Sequence, residues 1–227
     1  MEARHGSSSG LGDTMSGASD GLTIGAIDDH PMVLRGLGAA LGDIAPSLRL
    51  IEAAASVEEF LTTVTEPVDL VLLDLDLADP AATPESNIAR LRDAGIDVLI
   101  YTSEERPVPL RRAIAAGASG VLLKIDPIEA VVEAIRQVGR GEVVCSGPLA
   151  QALLLDDGVE LSPREVEVIQ MISDGLKAEA IATALFISEA TVREHMRRSF
   201  RKFRQAGIAV TNAHDLVRQA RGRGYLD

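Results

Sequence analysis

The chain has 227 residues, enough for one large or two small domains, and with no Trp and 3% aromatic residues its cores must be built from Leu, Ile, Val and Ala. No apolar run reaches the length of a membrane span, the N-terminus lacks a basic-then-apolar signal pattern, and the single Cys145 excludes an internal disulfide or a cysteine metal cluster; a cytoplasmic, non-membrane protein is expected. The net charge of -12 is unevenly placed: of 22 Lys and Arg and 34 Asp and Glu, 11 and 9 fall from Val159 onward, so the last third is mildly basic and open to a polyanion.

Residues 1–21 are rich in Ser and Gly, too polar to bury a core, and read as a disordered tail. From Leu22 the pattern alternates between strand and helix. Leu22 to Ile27 predicts a strand followed at once by Asp28-Asp29-His30-Pro31, and Val33, Leu34, Leu37, Leu41 and Ile44 then recur at helical spacing. Leu48 to Ala53 is a second strand, and Ser56-Val57-Glu58-Glu59 a capping box opening the next helix. The stretch Val68 to Asp79 organises this half. Its run Leu70-Val71-Leu72-Leu73 is that of a strand buried on both faces, and it ends in Asp74, Asp76 and Asp79. A helix over 85–94 is closed by Gly95, a strand over 98–101 ends at Thr102, and a helix over 109–116 is closed by Gly117. A strand over 121–123 ends at Lys124, and a helix over 128–138 follows Pro127.

Five βα units in succession predict an α/β doubly wound, five-stranded parallel sheet of the flavodoxin-like kind over 22–141. Asp28, Asp29, Asp74, Thr102 and Lys124 then share one edge of the sheet, where open α/β folds place their chemistry. Crowded carboxylates raise one another's proton affinity unless a cation joins them, and a hard divalent ion, most simply Mg²⁺, resolves this while leaving sites for a phosphate oxygen. Lys124 can neutralise an oxyanion and Thr102 can hydrogen-bond it. Asp74-Leu75-Asp76 also fits the D-x-D of aspartate-nucleophile phosphatases, an enzyme reading in which Asp74 attacks phosphate and Asp76 serves as acid and base.

Residues 142–158 lose periodicity and read as a linker, with a short helix expected near 149–155. A second, all-α domain is expected over 159–227. Ser162-Pro163-Arg164-Glu165 is a capping box with proline at the first helical position. Ala178 to Leu185 and Glu189 to Arg204 are two helices separated by Phe186-Ile187-Ser188, the tight joint of a helix-turn-helix, with Ser188 as N-cap. On the second helix Arg193 and Arg197 share a face, with Arg198, Arg201, Lys202 and Arg204 on the later turns, while Val192, Met196 and Phe200 form an apolar seam. Such a basic face suits double-stranded DNA, by counterion release at phosphates and by arginine at guanine edges.

Ile27-Asp28-Asp29-His30-Pro31, Leu72-Leu73-Asp74-Leu75, Ile100-Tyr101-Thr102 and Ala116-Gly117-Ala118-Ser119-Gly120-Val121-Leu122-Leu123-Lys124 resemble the receiver domain of two-component response regulators. Leu161-Ser162-Pro163-Arg164-Glu165, Gly175-Leu176, Ile187-Ser188 and Thr191-Val192-Arg193-Glu194-His195 resemble the LuxR-type DNA-binding domain, so the whole is similar to a NarL/FixJ-type regulator. The resemblance implies a phosphoprotein whose Asp74 accepts a phosphoryl group from a histidine kinase. It further implies that Asp28, Asp29, Asp74 and the backbone carbonyl of Asp76 hold Mg²⁺, and that Thr102 and Lys124 register the acyl phosphate. Arg193, Glu194 and Arg197 would face the DNA groove, and the last helix, about 212–221, would form a homodimer surface on half-sites about 34 Å apart. Two positions depart from the receiver pattern: Ala78-Asp79-Pro80-Ala81 stands where Pro-Gly is usual, and Val121 where an aromatic residue is usual. These motivate an alternative in which the receiver is a phosphorylation-independent dimerisation or ligand module.

Overall fold

The computed structural model describes residues 21–79, 81–145, 150 and 158–226. The expected N-terminal tail falls outside them but for residue 21, and so does the expected helix near 149–155 but for residue 150.

The first half alternates as β1 (Thr23–Ile27), α1 (Pro31–Ile44), β2 (Arg49–Ala54), α2 (Val57–Thr63), β3 (Leu70–Leu73), α3 (Pro84–Asp93), β4 (Asp97–Thr102), α4 (Pro107–Ala115), β5 (Gly120–Leu123) and α5 (Ile128–Gly139). All strands pair in parallel in the order β2-β1-β3-β4-β5, and the sheet gains a sixth member, β6 (Val144–Cys145), on the far side of β5. This last strand lies in the stretch expected as linker. Two residues set no period of their own, and the free edge of β5 orders them.

Alternation along β3 divides the core. Val71 and Leu73 face a cluster with Phe60, Ile88, Leu91 and Leu110 from α2, α3 and α4. Leu70 and Leu72 face the opposite cluster, with Leu37 and Leu41 from α1 and Val131 and Ile135 from α5. Each aliphatic side chain so buried is worth about 1.5–3 kcal/mol over exposure, which is why the apolar run is continuous rather than alternating.

The second half contains α6 (Pro163–Ser173), α7 (Ala178–Leu185), α8 (Glu189–Gln205) and α9 (Ala213–Gly222). Ser162 and Glu165 close the expected capping box on α6, each side chain bonding the other's backbone N–H. Ser188 caps α8 by accepting the Thr191 N–H at 3.1 Å. Val192 packs with Ile181 and Leu185 in one small core, and Phe203 with Ile169, Leu216 and Leu226 in another. Met196 and Phe200 are only partly buried against these cores, so the seam expected at spacing four continues inward through Phe203. The Tyr225 hydroxyl donates to the Val159 carbonyl at 2.5 Å, tying the end of the domain to its beginning. Among the described residues no helix is long and apolar enough to cross a membrane.

Candidate functional site

Parallel register brings the distant acids together. Ile27 pairs with Leu73, and the Asp74 N–H donates to the Ile27 carbonyl at 2.9 Å, so Asp28 and Asp74 leave adjacent strands side by side. Thr102 pairs with Leu123, and Lys124 N–H donates to the Thr102 carbonyl at 2.8 Å, so hydroxyl and ammonium leave the next pair at the same edge. Asp28, Asp74 and Thr102 are buried.

Buried carboxylates require counter-charge. Lys124 Nζ donates to Asp74 Oδ2 at 2.6 Å and stands 2.7 Å from Asp28 Oδ2. Burial alone would lower the Lys124 pKa, yet hydrogen bonds and charge from Asp28 and Asp74 carry it above the usual lysine value, so the ammonium stays protonated. Asp28 Oδ1 accepts the His30 N–H at 2.9 Å, and Asp29 Oδ2 accepts the Ala78 N–H at 3.1 Å. His30 Nδ1 lies 3.1 Å from Asp28 Oδ1 and 2.8 Å from Asp29 Oδ1.

One lysine among three carboxylates leaves anionic oxygens over. Asp28 Oδ2, 2.7 Å from Lys124 Nζ, and Asp29 Oδ1, 2.8 Å from His30 Nδ1, are both buried. Ligand atoms of Asp28, Asp29, His30 and Asp74 all lie within 4.8 Å of one another. An oxygen-rich, under-neutralised set of this kind fits a hard divalent cation such as Mg²⁺. His30 is the member that sequence reasoning did not single out, though it directly follows the acidic pair. Asp76 lies at the exposed rim and touches the pocket through its N–H, 3.3 Å from Asp74 Oδ1.

The second cluster lies on α8. Arg193, Arg197, Arg198 and Arg201 are exposed, but three of them are paired along their own helix: Arg193 with Glu189, and Arg197 and Arg198 both with Glu194. The hydrogen bond from Arg198, chiefly, holds the Glu194 carboxyl below its usual range. Lys202 departs from expectation. Its Nζ turns away from the basic face to meet the buried Glu165 at 2.6 Å, because that carboxylate, sunk at the start of α6, needs a cation. Arg193, Arg197 and Arg204 border an open groove of about 620 Å³ floored by Met196, Phe200 and Val210. Before α8, Phe186 takes a left-handed conformation (φ 54°) and is 95% exposed.

Two families of known proteins match the chain. Residues 24–136 match the response regulator receiver domain family, and residues 159–218 match the bacterial regulatory proteins of the luxR family. A nitrate/nitrite response regulator protein homolog of Haemophilus influenzae is 32% identical over 192 residues, 81% of this chain and 90% of its own. The transcriptional activator protein ExaE of Pseudomonas putida is 31% identical, over 88% of this chain and 96% of its own. In fold, the chain is similar to RcsB from Salmonella enterica serovar Typhimurium bound to a promoter, with a TM-score of 0.64 at 19% identity, covering 88% of this chain and 98% of that one. With both halves matched in order and relatives aligned along nearly their whole length, the chain belongs to the NarL/FixJ-type response regulators, transcriptional regulators that join a receiver domain to a LuxR-type DNA-binding domain.

Proposed function

We propose that Asp74 is the phosphoacceptor of this receiver, that a histidine kinase is its donor, and that the acyl phosphate controls binding of a homodimer to DNA through α8. The observation that carries this reading is the half-buried lysine bridging two buried carboxylates at the sheet edge, Lys124 on Asp28 and Asp74. An Asp74 carboxylate oxygen attacks phosphorus while the phosphorus–nitrogen bond of the donor phosphohistidine breaks, its electron pair returning to the imidazole. Mg²⁺ held by Asp28, Asp29 and Asp74, with the Asp76 carbonyl, would supply positive charge to the phosphoryl oxygens. Lys124 follows the new charge on Asp74 because its ammonium already bonds that side chain. Thr102 offers a hydroxyl to a phosphoryl oxygen.

On DNA, Arg193, Glu194 and Arg197 are the groove-facing residues of α8, and Arg198 and Arg201 meet phosphates. The self-paired arginines favour selectivity: each must leave a carboxylate for the duplex, and only a well-matched base edge offsets that exchange. A dimer places two copies of α8 on half-sites about 34 Å apart.

Incubation with acetyl phosphate and Mg²⁺, followed by intact-mass measurement, tests the assignment. Wild type is expected to gain one phosphoryl group and Asp74→Asn none; equal labelling of the two would overturn it, and an unchanged wild-type mass would favour a phosphorylation-independent receiver.

A further inference from the structure

The connection from α8 to α9 is held in one shape. Gly207 (φ +76°) closes α8 in the left-handed region, its N–H on the Arg204 carbonyl at 3.1 Å, and the Ile208 N–H donates to the Phe203 carbonyl at 2.9 Å. Val210 is buried in the cluster that holds Phe203 and Leu216. Thr211 gives its N–H and its hydroxyl to Asp215 Oδ2, at 3.2 Å and 2.6 Å, while Asn212 Oδ1 caps α9 on the Asp215 N–H at 2.9 Å. The Thr211 hydroxyl, first among these, holds the Asp215 carboxyl below its usual range, so the acceptor persists at neutral pH. The loop is thus a preformed wall.

Facing that wall, Arg193, Met196, Arg197, Phe200 and Arg204 recur along α8 at spacings of three and four, and so form one stripe about three turns, or 16 Å, in length. Stripe and wall bound the groove of about 620 Å³, with Met196, Phe200 and Val210 as its apolar floor and guanidiniums at its rim. Duplex DNA leaves this floor unexplained, because phosphates and most base-edge groups are polar and the thymine methyl is its one apolar contact in the major groove. A small molecule fits poorly too: sites for such ligands enclose most of the ligand surface, and this trough is open. The rim already binds carboxylates, Arg193 holding Glu189 and Arg197 holding Glu194 from α8 itself. Arg204 is exposed and, among the described residues, meets no carboxylate.

We infer that this groove docks an acidic amphipathic helix of a partner protein, with apolar side chains on Met196, Phe200 and Val210 and carboxylates on Arg193, Arg197 and Arg204. Cations at both ends of an apolar stripe call for several anions fixed around one apolar face, and a helix of about 11 residues matches the stripe in length. The incoming carboxylates replace Glu189 and Glu194 like for like, so the arginines keep their pairing while the floor is covered. Arg193 and Arg197 are shared with the duplex, so helix and DNA exclude each other and the partner acts as an antagonist. That consequence rests on the DNA reading of α8; the docking itself does not.

The test is fluorescence anisotropy of a dye-labelled synthetic helix of about 14 residues, with leucines at i, i+4 and i+7 and glutamates on both flanks, titrated with the full chain. Saturable one-to-one binding that weakens with salt is expected, and a scrambled peptide of the same composition, lacking the apolar face, should bind about tenfold more weakly. Arg204→Glu should weaken the ordered peptide by roughly tenfold and Met196→Ala by about fivefold, with Met196→Ala retaining wild-type affinity for a selected DNA fragment. Equal affinity for ordered and scrambled peptides, or wild-type affinity in both variants, would overturn the docking site. Binding of dodecanoate with both peptides silent would replace the helix by a small amphiphile, and self-association lost in Met196→Ala with both peptides silent would assign the groove to a second copy; either result rejects the inference. Peptide binding that the DNA fragment fails to displace would sink the antagonism and the placing of Arg193 and Arg197 on DNA, while the docking site stands.

Discussion

Glu165 shows how one side chain serves two helices. It closes the α6 capping box, accepts the Ser162 N–H at 2.8 Å and receives Lys202 from α8. Burial would raise its pKa, but Lys202 and Ser162 together bring it below the usual carboxylate range. A carboxyl with a depressed folded value stabilises the fold above its unfolded pKa, and that contribution disappears as pH falls through the folded value. Glu165→Gln should therefore lower stability by about 1–3 kcal/mol at neutral pH. In urea titrations the deficit should shrink as pH is taken down through the usual glutamate range and below it. Phe186 is the opposite case, a bulky residue in the left-handed region with its ring in solvent. Phe186→Asn, which tolerates that conformation, should raise stability by about 0.5–1 kcal/mol, read as a higher urea midpoint. Sequence alone placed Lys202 on the DNA face because helical spacing reports which side a residue stands on, not which neighbour a four-carbon stem will reach. It found Asp28, Asp74 and Lys124 because strand ends of a parallel sheet share an edge whatever side chains they carry.

At the scale of elements, strands and helices in both halves fell where periodicity put them, and the differences have local causes. α4 starts at Pro107 rather than near Pro109, since two prolines fit a first turn that needs few N–H donors. Ser56 caps α2 as expected, but Glu59 reaches the Ala55 N–H rather than that of Ser56. β6 left no trace in the pattern because pairing with β5 is its whole reason to be extended. The turn into α8 depends on Ser188, whose hydroxyl satisfies one first-turn donor of that helix. Ser188→Ala should cost about 1 kcal/mol and loosen the half of α8 that carries Arg193. Thermal melts measure the first effect, and a parallel fall in affinity for a selected DNA fragment the second.

For the whole molecule, the charge imbalance legible in the sequence became a division of labour, with an acidic receiver gathering carboxylates at one sheet edge and a helical domain presenting arginines. An arginine that meets only phosphate should reveal itself in salt dependence: Arg201→Ala is expected to weaken binding evenly across sequences and reduce the slope of log K against log salt by about 1, measured by fluorescence titration. The relation between the two halves was not legible, because its contacts, the Val108 N–H on the Arg223 carbonyl and the Arg106 guanidinium on the Leu226 carbonyl, both end on backbone carbonyls that no residue pattern announces. β6 also bears on how the receiver meets other chains. Its pairing with β5 carries the sheet to Val144 and Cys145 and occupies edge N–H and C=O groups of β5 that a strand from another molecule could otherwise take up. Association by strand addition is thereby discouraged on that side of the sheet.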